Sequence, residues 1–215
     1  MKVLVLGGTG AMGRALVPIL INRGHDVYVT SRSPHAEDQV HYILGNAHSE
    51  NFIKQVLSER FDVIVDFMIY SSDNFRERVS LYLNSADQYM FLSSARVYAD
   101  SKTPITEDSP RLLDVCKDDE YLKTDEYALA KAKSEDILFS SGQRNWTIIR
   151  PYITYNANRL QLGFMEKELW LNRALNHKAI VFSKDIADKY TTLTFGGDVA
   201  KTMADLIGNK RALGE

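Results

Sequence analysis

A glycine-rich turn directly after the first apolar segment constrains this chain more than any other feature. Residues 2–6 are almost entirely apolar, which is typical of a strand buried on both faces. The segment GGTGAMG (residues 7–13) follows at once, and a helical pattern runs over residues 11–23 before Gly24 ends it. The order of strand, glycine turn and helix predicts a Rossmann-type start to the fold.

The three glycines of the G-x-G-x-x-G pattern each meet a physical requirement of a dinucleotide site. Gly8 suits a tight turn, Gly10 lets the backbone approach a pyrophosphate, and Gly13 lets the helix pack closely on the strand. Unpaired N–H groups at the helix start favour the phosphate charge. The predicted cofactor contacts of this turn are Gly7, Thr9, Gly10, Ala11, Met12 and Gly13.

Strand-like and helix-like segments alternate along the rest of the first two thirds of the chain. The further predicted strands cover residues 26–30, 41–44, 61–68, 88–92 and 146–149. The predicted helices cover residues 50–58, 74–84 and 120–140, and a polar loop over 99–117 is expected to be irregular. This β-α-β order predicts an α/β fold with a doubly wound parallel sheet.

The pattern changes after Pro151, which ends the last of these strands. A helix is predicted over residues 163–176, a short strand over 180–182 and a closing helix over 198–207. We therefore expect an NAD(P)-binding Rossmann domain over residues 1–151. A small, apparently truncated substrate lobe is expected over residues 152–215.

A tyrosine and a lysine at helical spacing form the candidate catalytic pair. Tyr127 and Lys131 are four residues apart and lie on one face of the predicted helix. A phenol is a poor base at neutral pH, since its reference pKa is about 10, but a neighbouring ammonium stabilises the phenolate. Ser93 and Ser94 follow a predicted central strand, at the sheet edge where open α/β proteins bind ligands. A serine hydroxyl at that edge can orient a reacting oxygen.

The end of the second predicted strand bears on the choice of cofactor. An acidic residue usually stands there and binds the adenine ribose hydroxyls, but here the strand is followed by Ser31, Arg32 and Ser33. Arg32 and the flanking hydroxyls suit a 2′-phosphate, which favours NADP over NAD. An exposed arginine without that role is the alternative. The predicted cofactor is NAD(P), with a preference for NADP.

Composition narrows the partners and the compartment. The net charge of −2 gives no electrostatic reason to expect nucleic acid or an anionic membrane. No apolar stretch is long enough to cross a bilayer. Cys116 is the single cysteine, so an intramolecular disulfide is excluded and a cytoplasmic protein is expected. The five histidines show no paired metal-ligand spacing, and no metal site is predicted.

With these residues in place, the chain resembles the extended short-chain dehydrogenase/reductases, the NAD-dependent epimerase/dehydratase family. The resemblance runs over residues 1–156 and includes the glycine turn, the serine segment, the Tyr127/Lys131 pair and Arg150-Pro151. It implies that Ser94, Tyr127 and Lys131 are catalytic. The further residues that it places at the cofactor are Asn46, Ala47, Phe67, Met68, Ser93, Tyr127, Lys131 and Pro151. The family also implies a possible homodimer.

Departures from the family pattern limit the reaction that we expect. Dehydratases of the family tend to carry an Asp-Glu pair after the catalytic hydroxyl residue, whereas Ala95 and Arg96 stand here, so an epimerase or a reductase is favoured. Ile153 replaces an asparagine that contacts the substrate in the family. The resemblance implies a small-molecule substrate, a nucleotide sugar or a related hydroxyl/keto compound. The alternative is a non-catalytic regulatory or RNA-associated protein that retains the dinucleotide fold.

Overall fold

The computed structural model describes residues 1–157, 159–163, 165–186 and 189–215. The strands are β1 (Lys2–Leu6), β2 (Asp26–Ser31), β3 (His41–Leu44), β4 (Phe61–Asp66), β5 (Ala86–Leu92), β6 (Trp146–Ile149), β7 (Ile153–Tyr155), β8 (Gln161–Leu162), β9 (Met165–Glu166) and β10 (Leu193–Phe195). The α-helices are α1 (Ala11–Asn22), α2 (Glu50–Val56), α3 (Ser72–Ser85), α4 (Leu112–Val115), α5 (Asp119–Leu122), α6 (Tyr127–Phe139), α7 (Lys167–Leu175) and α8 (Gly196–Leu206).

The main sheet has the strand order β3-β2-β1-β4-β5-β6, and every pairing in it is parallel. The strand order switches at β1: β2 and β3 lie on one side of it, whereas β4, β5 and β6 lie on the other. The neighbours β1 and β4 are therefore separated in sequence by β2 and β3. In sheets of this kind the carboxyl ends of the strands at that point form a crevice for ligands. The predicted doubly wound Rossmann sheet is confirmed.

Side chains alternate between two apolar layers, one on each face of the sheet. Leu4 and Leu6 point to the layer that includes Ile53, Phe75 and Leu138, from α2, α3 and α6. Val3 and Val5 point to the opposite layer, which includes residues of α1 and α8. Because successive strand residues face opposite sides, an unbroken apolar segment is what a strand covered on both faces requires.

The predicted helix over residues 120–140 is wrong in one respect, because the structure divides it into α5 and α6. Two carboxylates account for the division. Asp118 accepts a hydrogen bond from the Tyr121 amide (3.0 Å) and caps α5, whereas Glu126 accepts one from the Ala128 amide (2.8 Å) and caps α6. Each cap satisfies backbone donors at a helix start. Tyr127 therefore stands at the first residue of the second helix.

The helix and the strand predicted directly after Pro151 also need correction. The helix predicted from residue 163 begins only at Lys167, after the short antiparallel pair β8–β9. Phe164, within that predicted helix, lies outside the described residues. Residues 180–182 have no strand structure, although a strand was expected there. The segment has only three apolar residues, which is too short a pattern to specify a strand by itself.

A small lobe follows the main sheet, and the chain then returns to it. β7 pairs in parallel with β10, and α8 packs its Val199 and Met203 into the layer that α1 occupies. The last residues lie along the outer edge of β6, where the Gly214 amide donates to the Trp146 carbonyl at 2.7 Å. No helix among the described residues is both long and apolar enough to cross a membrane.

Candidate active site

The turn between β1 and α1 has the geometry of an anion-binding cradle. Gly7 has a φ of +70°, which favours glycine, and its carbonyl accepts the Gly10 amide at 3.0 Å. A Cβ at Gly13 would lie 2.1 Å from the Gly8 carbonyl oxygen, so any larger residue would force the helix away from the turn. No side chain caps α1 and its first turn holds no acid. The helix start is thus open to a phosphate.

The other residues expected at the cofactor also lie near the carboxyl edge of the main sheet. Arg32 follows β2 and is exposed, whereas Ala47 follows β3 and is buried. Phe67 and Met68 follow β4, and the Met68 sulfur lies 3.1 Å from the position of a Cβ on Gly7. Asn46 lies in the turn after β3, and Pro151 follows β6, where its carbonyl accepts the Ala95 amide at 2.9 Å. The sheet thus brings these separate segments to one edge.

Tyr127 and Lys131 line the same cavity, which has a volume of about 300 Å³. Lys131 is 5% exposed, and its Nζ donates to the Leu92 carbonyl at 2.6 Å. The same nitrogen lies 4.5 Å from the centroid of the Phe91 ring and 6.0 Å from that of Tyr127. The cavity is lined by Ile69, Tyr70, Ser71, Asp125, Tyr127, Ala130 and Lys131.

A second cavity of similar size, about 290 Å³, lies at the other edge of the sheet. Its lining includes Asp62, Gln88 and Asn209, from the amino-terminal ends of β4 and β5 and the turn after α8. Ligand sites of doubly wound sheets form at the carboxyl ends of the strands. The cavity beside Tyr127 is therefore the candidate site.

Burial lowers the pKa of the Lys131 ammonium towards neutral pH. Removal from water lowers the pKa of Lys131 to about 8, while the negative charges of Asp66 and Glu135 act in the opposite direction. A lysine with this pKa carries its charge at neutral pH but loses it in mildly alkaline solution. The side chain can therefore supply a positive charge beside Tyr127 at neutral pH.

The two serines after β5 have different surroundings. The Ser93 hydroxyl donates to Glu135 Oε1 at 2.5 Å, which directs it into the protein. Ser94 precedes the short 3₁₀ helix Ala95–Val97, and its Oγ accepts the Arg96 amide at 3.2 Å. A hydroxyl that accepts one hydrogen bond can still donate another. The Ser94 hydroxyl thus remains able to donate, and neither serine is among the residues that line the cavity.

Arg96 lies over the candidate catalytic tyrosine. Its guanidinium carbon is 5.5 Å from the centroid of the Tyr127 ring, and its Nη2 donates to Glu126 at 2.8 Å. Residue 96 therefore places a cation beside the Tyr127 ring.

A buried ion pair supports α6 from beneath, and sequence reasoning did not assign it. Glu135, which is fully buried, binds Arg150 through two hydrogen bonds: Nε to Oε1 at 2.8 Å and Nη2 to Oε2 at 2.9 Å. Arg150 also donates to the Tyr98 hydroxyl at 2.7 Å. The i,i+4 spacing of Glu135 from Lys131, on the buried face of the helix, is the signal that could have revealed it.

Asp66 is a second residue that sequence reasoning missed. It ends β4, is fully buried, and accepts hydrogen bonds from the Met68 amide at 2.8 Å and the Tyr89 hydroxyl at 2.7 Å. The signal was an acid inside the otherwise apolar segment 61–68, since an unpaired carboxylate is costly in a core.

Comparison with known proteins places these features in a family context. The sequence profile of the NAD dependent epimerase/dehydratase family matches residues 3–213. A chloroplast stem-loop binding protein of 41 kDa (form b) from Arabidopsis thaliana is 27% identical over 228 residues, which cover 98% of this chain and 56% of that protein. The chain thus spans little more than half the length of this relative.

Solved structures share the fold at low sequence identity. Pal from Bacillus thuringiensis has a TM-score of 0.77 at 19% identity, with 100% of this chain and 76% of that chain covered. UDP-glucose 4-epimerase from Bifidobacterium longum, solved with NAD⁺ and UDP, has a TM-score of 0.71 at 19% identity, with coverage of 100% and 76%. Both likenesses concern the architecture alone.

Proposed function

Because the chain belongs to the NAD-dependent epimerase/dehydratase family, we propose that it is an NAD(P)-dependent epimerase or reductase that uses Ser94, Tyr127 and Lys131. One observation carries the proposal. Tyr127 and the buried Lys131 line one cavity at the sheet edge that also holds the glycine turn. A phenol beside an ammonium is the arrangement that proton exchange with a hydroxyl or carbonyl substrate requires.

The residues at the sheet edge fit a dinucleotide. The tight contact at Gly13 and the uncapped start of α1 leave backbone N–H groups for a pyrophosphate, and no acid opposes its charge there. Asn46 and Ala47 would lie by the adenine, Phe67 and Met68 along the cofactor. Once bound, the nicotinamide supplies the acceptor or donor for hydride.

The chain's own side chains would handle the proton. The phenolic oxygen of Tyr127 would take a proton from a substrate hydroxyl, or return one to a carbonyl. The Lys131 ammonium stabilises negative charge on that oxygen, and the Leu92 carbonyl holds Lys131 in place. Ser94 would donate a hydrogen bond to the reacting oxygen.

The assay for this proposal combines turnover with analysis of the bound cofactor. Candidate substrates are nucleotide sugars, in line with the UDP-glucose epimerase among the structural neighbours. Tyr127→Phe should lower turnover of an identified substrate by at least about a hundredfold, and unchanged turnover would refute the mechanism. Tyr190→Phe is the matched control, because that side chain is fully exposed and does not line the cavity. Retained oxidised NAD favours an epimerase, and cofactor-free protein that binds NADPH favours a reductase.

The preference for NADP is tested separately. Arg32 is exposed after β2, and the neighbouring Ser31 Oγ accepts the Ser33 amide at 3.1 Å. Arg32→Ala should weaken NADPH binding by about tenfold or more and leave NADH binding nearly unchanged. Arg60→Ala, which removes another exposed arginine ahead of β4, is the control. Equal losses for both cofactors in Arg32→Ala would contradict the 2′-phosphate assignment.

The second candidate function is association with RNA, which the Arabidopsis stem-loop binding relative favours. This function needs no turnover. The test is fluorescence anisotropy with a labelled stem-loop RNA at several salt concentrations, since phosphate contacts weaken as salt rises. Micromolar or tighter binding that is unaffected by Tyr127→Phe would support it, and no binding at low salt would exclude it.

A further inference from the structure

The Asp66 carboxyl group lies deep in the protein among hydrogen-bonding groups. The groups that bind it are hydrogen-bond donors: the Met68 amide, the Tyr89 hydroxyl and, at 3.4 Å, the Tyr70 hydroxyl. An ionised carboxylate only accepts hydrogen bonds, so this set of partners suits the charged form. Burial raises the pKa of Asp66 above its ordinary value, although these hydrogen bonds act in the opposite direction.

The sheet register places Asp66 beside Phe91, the residue whose aromatic ring Lys131 contacts. Asp66 lies directly opposite Phe91 where β4 pairs with β5, and paired residues of neighbouring strands share a face of the sheet. Lys131 Nζ lies 4.5 Å from the centroid of the Phe91 ring on that face. Asp66 of β4 and Lys131 of α6 thus lie on the same face of the sheet, beside the same aromatic ring.

Other charged or titratable groups also lie near Lys131, but the carboxylates among them already bind other partners. Glu135, on the same helix, is already bound by Arg150. Asp125 lies across the cavity and accepts the Ser72 amide at 2.8 Å, at the start of α3. The phenols that adjoin the ammonium or the carboxylate are Tyr70, Tyr82, Tyr89 and Tyr127. Among the described residues no cation, Lys131 included, lies within ion-pair distance of Asp66, so its charge acts on Lys131 at longer range.

We propose that Asp66 is a positioning residue, a buried counter-charge that keeps Lys131 protonated beneath Tyr127. Burial alone would drive the lysine towards its neutral amine, and an amine could not stabilise a phenolate. The catalytic meaning of this assignment rests on the proposed function. The electrostatic link between the two residues does not.

The direct test is the titration of Lys131 in protein labelled with ¹³C at lysine Cε, followed by NMR. The Lys131 signal is assigned from its absence in Lys131→Met. In Asp66→Asn the midpoint should fall by at least about one pH unit, a tenfold change in the ionisation constant. Asp62→Asn is the matched control, because it makes the same change on the same strand at the opposite edge of the sheet. An unchanged or raised midpoint in folded Asp66→Asn would overturn the proposal.

A second variant keeps the test decisive if Asp66→Asn does not fold. This variant is Lys131→Met, in which the titration of Asp66 is followed by ¹³C NMR of aspartate Cγ. A pairwise electrostatic coupling shifts both partners, so loss of the ammonium should raise the pKa of Asp66 by at least about one pH unit, a tenfold change in the ionisation constant. An unchanged or lowered Asp66 midpoint in Lys131→Met would overturn the proposal.

Activity gives an independent readout. For the wild type, turnover should decline as the pH rises through the Lys131 midpoint, and in Asp66→Asn the same decline should begin at lower pH. A merely structural role would lower turnover equally at every pH and would overturn the assignment. The NMR titration needs neither cofactor nor substrate. Absence of any turnover would therefore refute the proposed function without affecting this measurement.

Discussion

The buried ammonium of Lys131 predicts an unusual dependence of stability on pH. Its pKa falls from the ordinary value of 10.5 to about 8 in the folded protein. Between these two values the unfolded chain binds more protons than the folded one, so the free energy of unfolding rises with pH. The contribution is complete above the unfolded pKa and is lost as the pH falls through the folded one. At about 1.4 kcal/mol per pH unit, it amounts to roughly 3 kcal/mol over the whole window.

The variant Lys131→Met isolates this contribution, because methionine fills similar space without titrating. Between about pH 7 and pH 9.5, the wild type should gain about 2 kcal/mol of stability relative to the variant. Urea unfolding, followed by circular dichroism at several pH values in this range, measures the difference directly. Comparison with the variant cancels the titration of the other lysines and the tyrosines.

Lys133→Met is the matched control for this experiment. It removes an ammonium from the same helix at a less buried position, where the nitrogen donates to the Thr124 carbonyl at 2.7 Å. It therefore reports what the loss of a lysine from α6 does to stability in general. A difference between wild type and Lys131→Met that stays flat from about pH 7 to 9.5 would refute the depressed pKa of Lys131, and with it the electrostatic account of the site.

Two further predictions concern the parts that hold the site in place. Gly13→Ala should destabilise the protein by about 1–3 kcal/mol and abolish dinucleotide binding, since its Cβ would lie 2.1 Å from a backbone oxygen. Gly10→Ala, with 3.3 Å to its nearest atom, should cost less, and similar unfolding midpoints for the two would contradict the packing argument. Glu135→Gln should cost about 3–5 kcal/mol by denaturant unfolding, because it leaves Arg150 without its buried negative counter-charge. Asp136→Asn, at the neighbouring and more exposed ion pair, should cost no more than about 1 kcal/mol, and equal losses would show that burial is not the cause.

Local patterns were enough to predict most of the main sheet. The strands β1, β3 and β6 were predicted at their observed limits, and β2, β4 and β5 within two residues, because most of them combine apolar composition with a flanking turn. The division of residues 120–140 into two helices was missed. It depends on two acidic caps within a segment whose overall periodicity is helical, and caps are a weaker signal than a continuous apolar pattern. The segments after Pro151 were predicted least well, because short strands and turns there depend on contacts with distant parts of the chain.

The sequence by itself determined the class of fold and the kinds of residue at the carboxyl edge of the main sheet. The glycine spacing and the i,i+4 pair of Tyr127 and Lys131 are local features, and a local feature has the same geometry wherever the helix or turn forms. Only the tertiary structure decided how those groups behave. The burial of Lys131 over the Phe91 ring, on the face of the sheet that Asp66 shares, arises where α6 meets β5. The charge of a buried group depends on what surrounds it in space, and residues far apart in sequence supply those surroundings.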